Sequence, residues 1–211
     1  MIEVIPAVLP KSFEELEREL ARLRRQAGIS KLVQIDLVGT NVLSGRESLP
    51  FWQEFDFECD IMLPNADAEV QTCVGIGAAR VVVHDFGALQ ALQPYRQGGY
   101  PVEAGFALAA HDAPEALDVC DGLYDFVQVM GIDNIGKQGE PFEPAAVGLV
   151  RSLREKFPNA VIQVDGHAAG HEKELVAAGA NRLVIGSAIV NAENPREAYK
   201  EIYNRANVAL R

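Results

Sequence analysis

Residues 160–190 read AVIQVDGHAAGHEKELVAAGANRLVIGSAIV, and the fold is decided there. Residues 161–164 are a β-rich run that ends in Asp165-Gly166. Residues 172–178 carry a helical pattern closed by Gly179, and residues 183–185 are a second apolar strand ending in Gly186-Ser187. A strand, a helix and a strand of this length form a parallel pair, because the chain must return to the same edge before starting again. Both glycine-bearing turns then lie at the carboxyl ends of neighbouring strands. That is where α/β folds bind ligands, and where backbone N–H groups can hold a phosphate.

Working outward, the same alternation runs through the chain. Strands are expected at residues 2–8, 31–38, 55–63, 79–83, 101–108 and 124–130. Helices are expected at 67–74, 87–95, 113–119, 143–156 and 194–208, the last with Pro195 in its first turn. The first helix opens on a capping box, Ser12-Phe13-Glu14-Glu15, continues through Leu16, Leu20 and Leu23, and is stopped by Gly28. Residues 39–54 are looser, and residues 131–139 form a glycine-rich loop. Eight strands alternating with helices predict a (β/α)8 TIM barrel spanning residues 1–211 as one domain. An open doubly wound sheet would require one strand to be misread.

Composition narrows the function. The formal net charge of −11 argues against a general binder of nucleic acid or acidic membrane, yet leaves room for one phosphorylated small molecule held by a local field. No run of about 18 apolar residues is present, so no membrane span is expected. The start, MIEVIPAVLPKSFEE, has no basic and apolar leader pattern, so no signal peptide is expected. Cys59, Cys73 and Cys120 are scattered and odd in number, which reads as free thiols in a reducing cytoplasm.

Residues i and i+2 of a strand share a face. Gln34 therefore pairs with Asp36, Glu58 with Asp60, Gln128 with Met130 and Gln163 with Asp165, all late in their strands and facing the barrel interior. A polar group there is costly unless paired or used. The glutamines read as a hydrogen-bonded core layer. Asp36, Asp60 and Asp165 read as functional, because three converging carboxylates repel unless a cation, a proton or a substrate separates them.

The whole chain resembles the ribulose-phosphate 3-epimerase family. The resemblance runs in order through residues 5–16 (IPAVLPKSFEEL), 32–38 (LVQIDLV), 59–63 (CDIML), 81–86 (VVVHDF), 113–117 (APEAL), 124–130 (YDFVQVM), 162–166 (IQVDG) and 178–190 (AGANRLVIGSAIV). It implies a ribulose-phosphate-binding barrel in which Asp36 and Asp165 are the opposed acid and base of an epimerisation. It implies a phosphorylated substrate bound by Gly136, Lys137, Gly166, His167, Gly186 and Ser187, with Met62 and His84 also on the substrate side. For His84 the alternative is a rim histidine bonded to a neighbour. A homo-oligomer is also expected.

Departures from the family pattern are concentrated at the metal and sugar half of the site. The family's two metal-binding histidines are replaced by Gln34 and Asp60. Its Met-Asp-Gly reads Val38-Gly39-Thr40, its serines near strand one read Ala7 and Pro10, and its double glycine reads Gly166-His167. No tightly bound cofactor is therefore expected. The site is either metal-free or takes magnesium or manganese weakly on Gln34, Asp36, Asp60 and Asp165, since oxygen donors suit hard cations. Two functions follow: an isomerase or epimerase of a phosphorylated sugar, or an inactive barrel that binds a phospholigand or acts as a scaffold. The Asp-x-Lys-x-x-Asp motif of decarboxylase relatives is absent, since strand three reads Glu58-Cys59-Asp60-Ile61-Met62-Leu63.

Overall fold

The structure is a computed structural model, and it describes residues 1–26, 28–39, 42–137 and 139–208. Thr40 lies outside the described residues. Eight strands close into a parallel barrel in sequence order. They are β1 (Glu3–Val8), β2 (Leu32–Leu37), β3 (Asp56–Ile61), β4 (Arg80–Val83), β5 (Glu103–Leu108), β6 (Phe126–Met130), β7 (Val161–Asp165) and β8 (Arg182–Ile185). Every neighbouring pair is parallel, and β8 returns to β1 through Glu3↔Arg182 to Pro6↔Ile185. The expected (β/α)8 barrel is the observed fold.

Around it lie α1 (Phe13–Arg24), α2 (Asp67–Gly75), α3 (Phe86–Gln97), α4 (Ala145–Lys156), α5 (Glu172–Ala178), α6 (Ser187–Val190) and α7 (Pro195–Val208). Outward-facing strand residues such as Val33, Ile35 and Leu37 bury against the helices, together with Leu16, Leu20 and Leu23 of α1. Among the described residues, no helix is long and apolar enough to cross a membrane. The three cysteines are free and buried.

Several local expectations shift. Ser12 caps α1, its Oγ accepting from Glu15 N–H at 3.2 Å, but the Glu15 carboxylate takes the N–H of Lys11 (2.8 Å) rather than that of Ser12. The helix ends at Arg24, short of Gly28, because Gln26 N–H tightens the turn onto Leu23 O. Residues 113–119 do not form an α-helix. Pro114–Cys120 is a 3-10 helix instead. The described residues between β2 and β3 form turns and bends without a helix. The turn expected at Gly186-Ser187 runs straight into one helical turn, Ser187–Val190.

The foot of the barrel is closed by charge. Arg80 and Arg182, the first residues of β4 and β8, point inward. Arg80 meets Glu3 (3.4 Å) and Glu103 (3.1 Å), and Arg182 meets the same two (3.2 and 3.5 Å). The Phe126 ring lies against both guanidinium groups, 6.0 and 4.9 Å from its centre. Phe126 fits only because β5 carries Gly105. A Cβ on Gly105 would lie 2.5 Å from Phe126 Cζ and 2.9 Å from Val82 Cγ2. Gly105→Ala is therefore expected to overpack the interior and destabilise the barrel by about 1–3 kcal/mol. Equilibrium urea unfolding checks this, and an unchanged midpoint would show that Phe126 has room to move.

Candidate active site

The strand register stacks the inward-facing polar residues in tiers. Gln34 lies beside Glu58 and Asp36 beside Asp60; Gln128 lies beside Gln163 and Met130 beside Asp165. Closure of the barrel then brings these strands face to face. Gln34 Nε2 donates to Asp36 Oδ1 (2.7 Å) and to Asp165 Oδ2 (2.8 Å), so one amide nitrogen joins the two aspartates. Asp60 Oδ2 accepts from Gln128 Nε2 (2.7 Å), and Asp60 Oδ1 pairs with His84 Nε2 (2.7 Å). Beneath them Gln163 Nε2 faces Glu58 Oε1 (2.6 Å), Gln128 Oε1 (2.8 Å) and Gln34 Oε1 (3.4 Å). Gln34, Glu58, Asp60, Gln128 and Gln163 have no solvent exposure. The glutamines are thus a bonded layer, and the acidic trio converges directly above it.

A cavity of about 120 Å³ opens over this layer. Its lining includes Asp36, Met62, Gly136, Lys137, Asp165, Gly166, His167, Gly186 and Ser187. The structure therefore brings most of the sequence-predicted site residues to one place. His84 is not among the lining residues; it is held on Asp60, as a rim histidine bonded to its neighbour. Ile132, Met130 and Glu140 also line the cavity. Glu140 carries no motif signal and was reachable only through the fold.

Local backbone geometry explains the lip. Gly131 N–H donates to Asp165 O at 2.5 Å, so the loops after β6 and β7 touch backbone to backbone. A side chain on Gly131 would run directly into Gly166 O. His167 follows at φ 51°, in the left-handed region that disfavours a residue with a Cβ. At the other lip, Ile189 and Val190 N–H bond to Gly186 O. Ser187 and Ala188 precede these first in-turn bonds and are exposed towards the cavity. Lys137 is exposed on the third side.

Burial and crowding govern protonation. Burial first, then the charges of Asp165 and Asp60, pushes the Asp36 carboxyl well above its usual range, against the opposing Gln34 hydrogen bond. Burial and then Asp60 raise Asp165 to about 7, and burial raises Glu58 to about 7 despite Arg80 and the Gln163 hydrogen bond. Burial works against a charged His84, but the charge and hydrogen bond of Asp60 outweigh it and raise its pKa.

Oxygens of Asp36, Asp60 and Asp165 lie within 4.8 Å of one another, close enough to hold a divalent ion. The donor set does not fit one as it stands. Asp36 Oδ1 and Asp165 Oδ2 are occupied by the Gln34 amide nitrogen, and both Asp60 oxygens by His84 and Gln128. Gln34 turns its N–H bonds, not its oxygen, towards the trio. A second group, His111 with Asp133 and Glu143, has ion-pair distances of 3.7 and 3.8 Å on the exposed rim, where such pairs contribute little.

This is the layout of a (β/α)8 barrel with carboxylates over a polar interior and glycine-bearing turns at the carboxyl ends of β7 and β8. The ribulose-phosphate 3 epimerase family model matches residues 3–190, and the chain belongs to that family. It is 24% identical to the ribulose-phosphate 3-epimerase of Schizosaccharomyces pombe, over 96% of this chain and 92% of that protein. It is also 30% identical to the orotidine 5'-phosphate decarboxylase of Pyrococcus horikoshii, over 67% of this chain and 68% of that one. The structure of 3-hexulose-6-phosphate synthase from Salmonella typhimurium superposes with a TM-score of 0.70 at 16% identity, covering 99% of this chain and 100% of that one.

The raised carboxyl groups set the pH dependence of stability. Asp165 and Glu58 keep their protons to about pH 7 when folded, but lose them near their ordinary values of 3.8 and 4.5 when unfolded. Between those limits the folded state binds more protons, so stability falls as pH rises. The raised His84 pKa acts in the same direction. The expected loss from about pH 5.5 to about pH 8 is on the order of a few kcal/mol. Urea unfolding at both pH values measures it, and Asp165→Asn should flatten the slope. Equal or greater stability at the higher pH would contradict the burial argument.

Proposed function

We propose that the chain is an epimerase or isomerase of a phosphorylated sugar, with a ketose phosphate of the ribulose-phosphate type as its substrate class. The observation that carries this is the pair Asp36 and Asp165, joined at 2.7 and 2.8 Å through one amide at the floor of a cavity edged by Gly166, Gly186 and Ser187. Inversion at carbon needs a base on one face and an acid on the other. Two crowded, buried carboxylates supply both, since one holds a proton while the other is ionised.

In this reading the ionised aspartate takes the proton from the carbon beside the ketone. The C–H electron pair moves to form an enediolate, with the charge on the former carbonyl oxygen. The protonated aspartate then returns a proton to the opposite face, and the two carboxyl groups have exchanged states. The substrate phosphate lies against the Gly166, Gly186 and Ser187 backbone, with Lys137 and His167 offsetting its charge in an otherwise acidic protein. Met62 and Met130 give the sugar an apolar wall. A reducing cytoplasm suits the three free thiols.

One observation favours a second reading, a barrel that binds a phospholigand without turnover. Gln34 already satisfies an oxygen of each aspartate, leaving less basic character for proton abstraction. A decarboxylase reading is disfavoured because Asp60 stands where the relatives' motif places its lysine.

Turnover of ribulose 5-phosphate in deuterated water separates the readings. The enzyme is expected to wash deuterium into the carbon beside the ketone. Asp36→Asn and Asp165→Asn should each slow this about 10²–10⁴-fold. Saturable binding with no exchange above the uncatalysed rate would establish the binder instead.

A further inference from the structure

We propose that the Gln34 side-chain amide stands in the place of a divalent cation between Asp36 and Asp165, and that Glu58, acting through Gln163, fixes which end of that amide faces them. The proposal rests on the acid–base reading above, but its central observation is independent of turnover. Three carboxylates whose oxygens approach within 4.8 Å demand positive charge or hydrogen-bond donors. Each is supplied with donors by the protein: Asp36 and Asp165 by Gln34, and Asp60 by Gln128 and His84.

An amide is useful here only with its nitrogen towards the aspartates. Turned over, it would set its oxygen against two carboxylate oxygens. The interior wiring dictates the choice. A carboxyl oxygen that carries no proton only accepts, and Glu58 Oε1 draws the Gln163 nitrogen to 2.6 Å. That same nitrogen faces the oxygens of Gln128 and Gln34 at 2.8 and 3.4 Å. Those two amides must then point their nitrogens upward, one at Asp60 and the other at Asp36 and Asp165. The cost of this polarity is visible: Gln163 Oε1 is buried without a partner among the described residues. From below, Glu58 is held by Arg80 at 3.6 Å. Direction thus passes from the foot of the barrel to its reactive end through three amides. Glu58 and Gln163 are positioning residues, since neither lines the cavity.

The experiment is manganese titration of the whole chain, followed by electron paramagnetic resonance and by the side-chain NH2 signals of Gln34 in ¹H–¹⁵N spectra. Wild-type protein is expected to show no one-to-one site tighter than about 1 mM, the weak end for oxygen-ligated cations. Its Gln34 NH2 signals should stay sharp as manganese is added. Gln34→Glu replaces the amide by a fourth carboxylate and should create a manganese site at least ~100-fold tighter than wild type. Glu58→Gln should speed solvent exchange of the Gln34 NH2 protons at least ~10-fold, while Arg80→Lys should leave it unchanged, which separates orientation from general loosening. A wild-type site tighter than about 1 mM that broadens the Gln34 signals and is lost in Asp165→Asn would overturn the proposal. Unchanged Gln34 exchange in Glu58→Gln would remove Glu58 from it. These readouts stand even if ribulose 5-phosphate is not turned over, so the two proposals can fail separately.

Discussion

A carboxylate inside a closed barrel has no water to solvate it, and the structure depends on how this chain answers that constraint. Its answer is amides. Gln163, Gln34 and Gln128 link Glu58 below to Asp36, Asp165 and Asp60 above, with every heavy-atom separation but one between 2.6 and 2.8 Å. Such a network is stabilising only when its members are paired, because a lone buried polar group loses its hydration without compensation. The interior therefore tolerates little variation at any one of these positions. The same pairing that keeps the core folded also places two carboxyl groups side by side with proton affinities raised by burial, which is the condition acid–base chemistry at carbon requires.

The fold and the network constrain each other. Parallel closure puts Gln128 next to Gln163 and Gln34 next to Glu58 in register, so the amides meet without long side chains having to search for partners. The tier beneath is closed by Arg80, Arg182, Glu3 and Glu103, with Phe126 filling the space that Gly105 leaves. The paired arginines keep positive charge under Glu58 without competing for the oxygen that faces Gln163. The amino end of the barrel is thus more than a plug, since Arg80 comes within 3.6 Å of Glu58, the lowest member of the amide network.

Much of this was legible along the chain. Alternating strands and helices gave the barrel, and the i, i+2 pairs Gln34/Asp36 and Gln163/Asp165 gave the inward-facing residues. Glycine-bearing turns at 166 and 186 marked the cavity edge. What was not legible is who meets whom across the barrel. Gln34 and Asp165 are 131 residues apart, and nothing in either strand says that one amide will bridge two aspartates. Nor does either strand show that Arg80 and Arg182, far apart in the chain, share Glu3 and Glu103 at the foot of the barrel. His84 could be weighed as ligand-facing or as bonded to a neighbour, and only the structure set it on Asp60. Residues 113–119 carried enough helical character to suggest an α-helix, but Pro114–Cys120 winds as a 3-10 helix.

The left-handed turn at His167 has a further bearing on how such a protein changes over time. A side chain in that conformation carries a local backbone penalty of roughly 1 kcal/mol that glycine would not. Selection for heat resistance alone would push this position towards glycine and remove an imidazole from the cavity lip. Selection for ligand capture would hold the histidine and accept a softer loop. The β7–α5 connection is thus a point where durability and recognition pull against each other within a single residue, and thermostable variants obtained without a functional screen would be enriched in changes there.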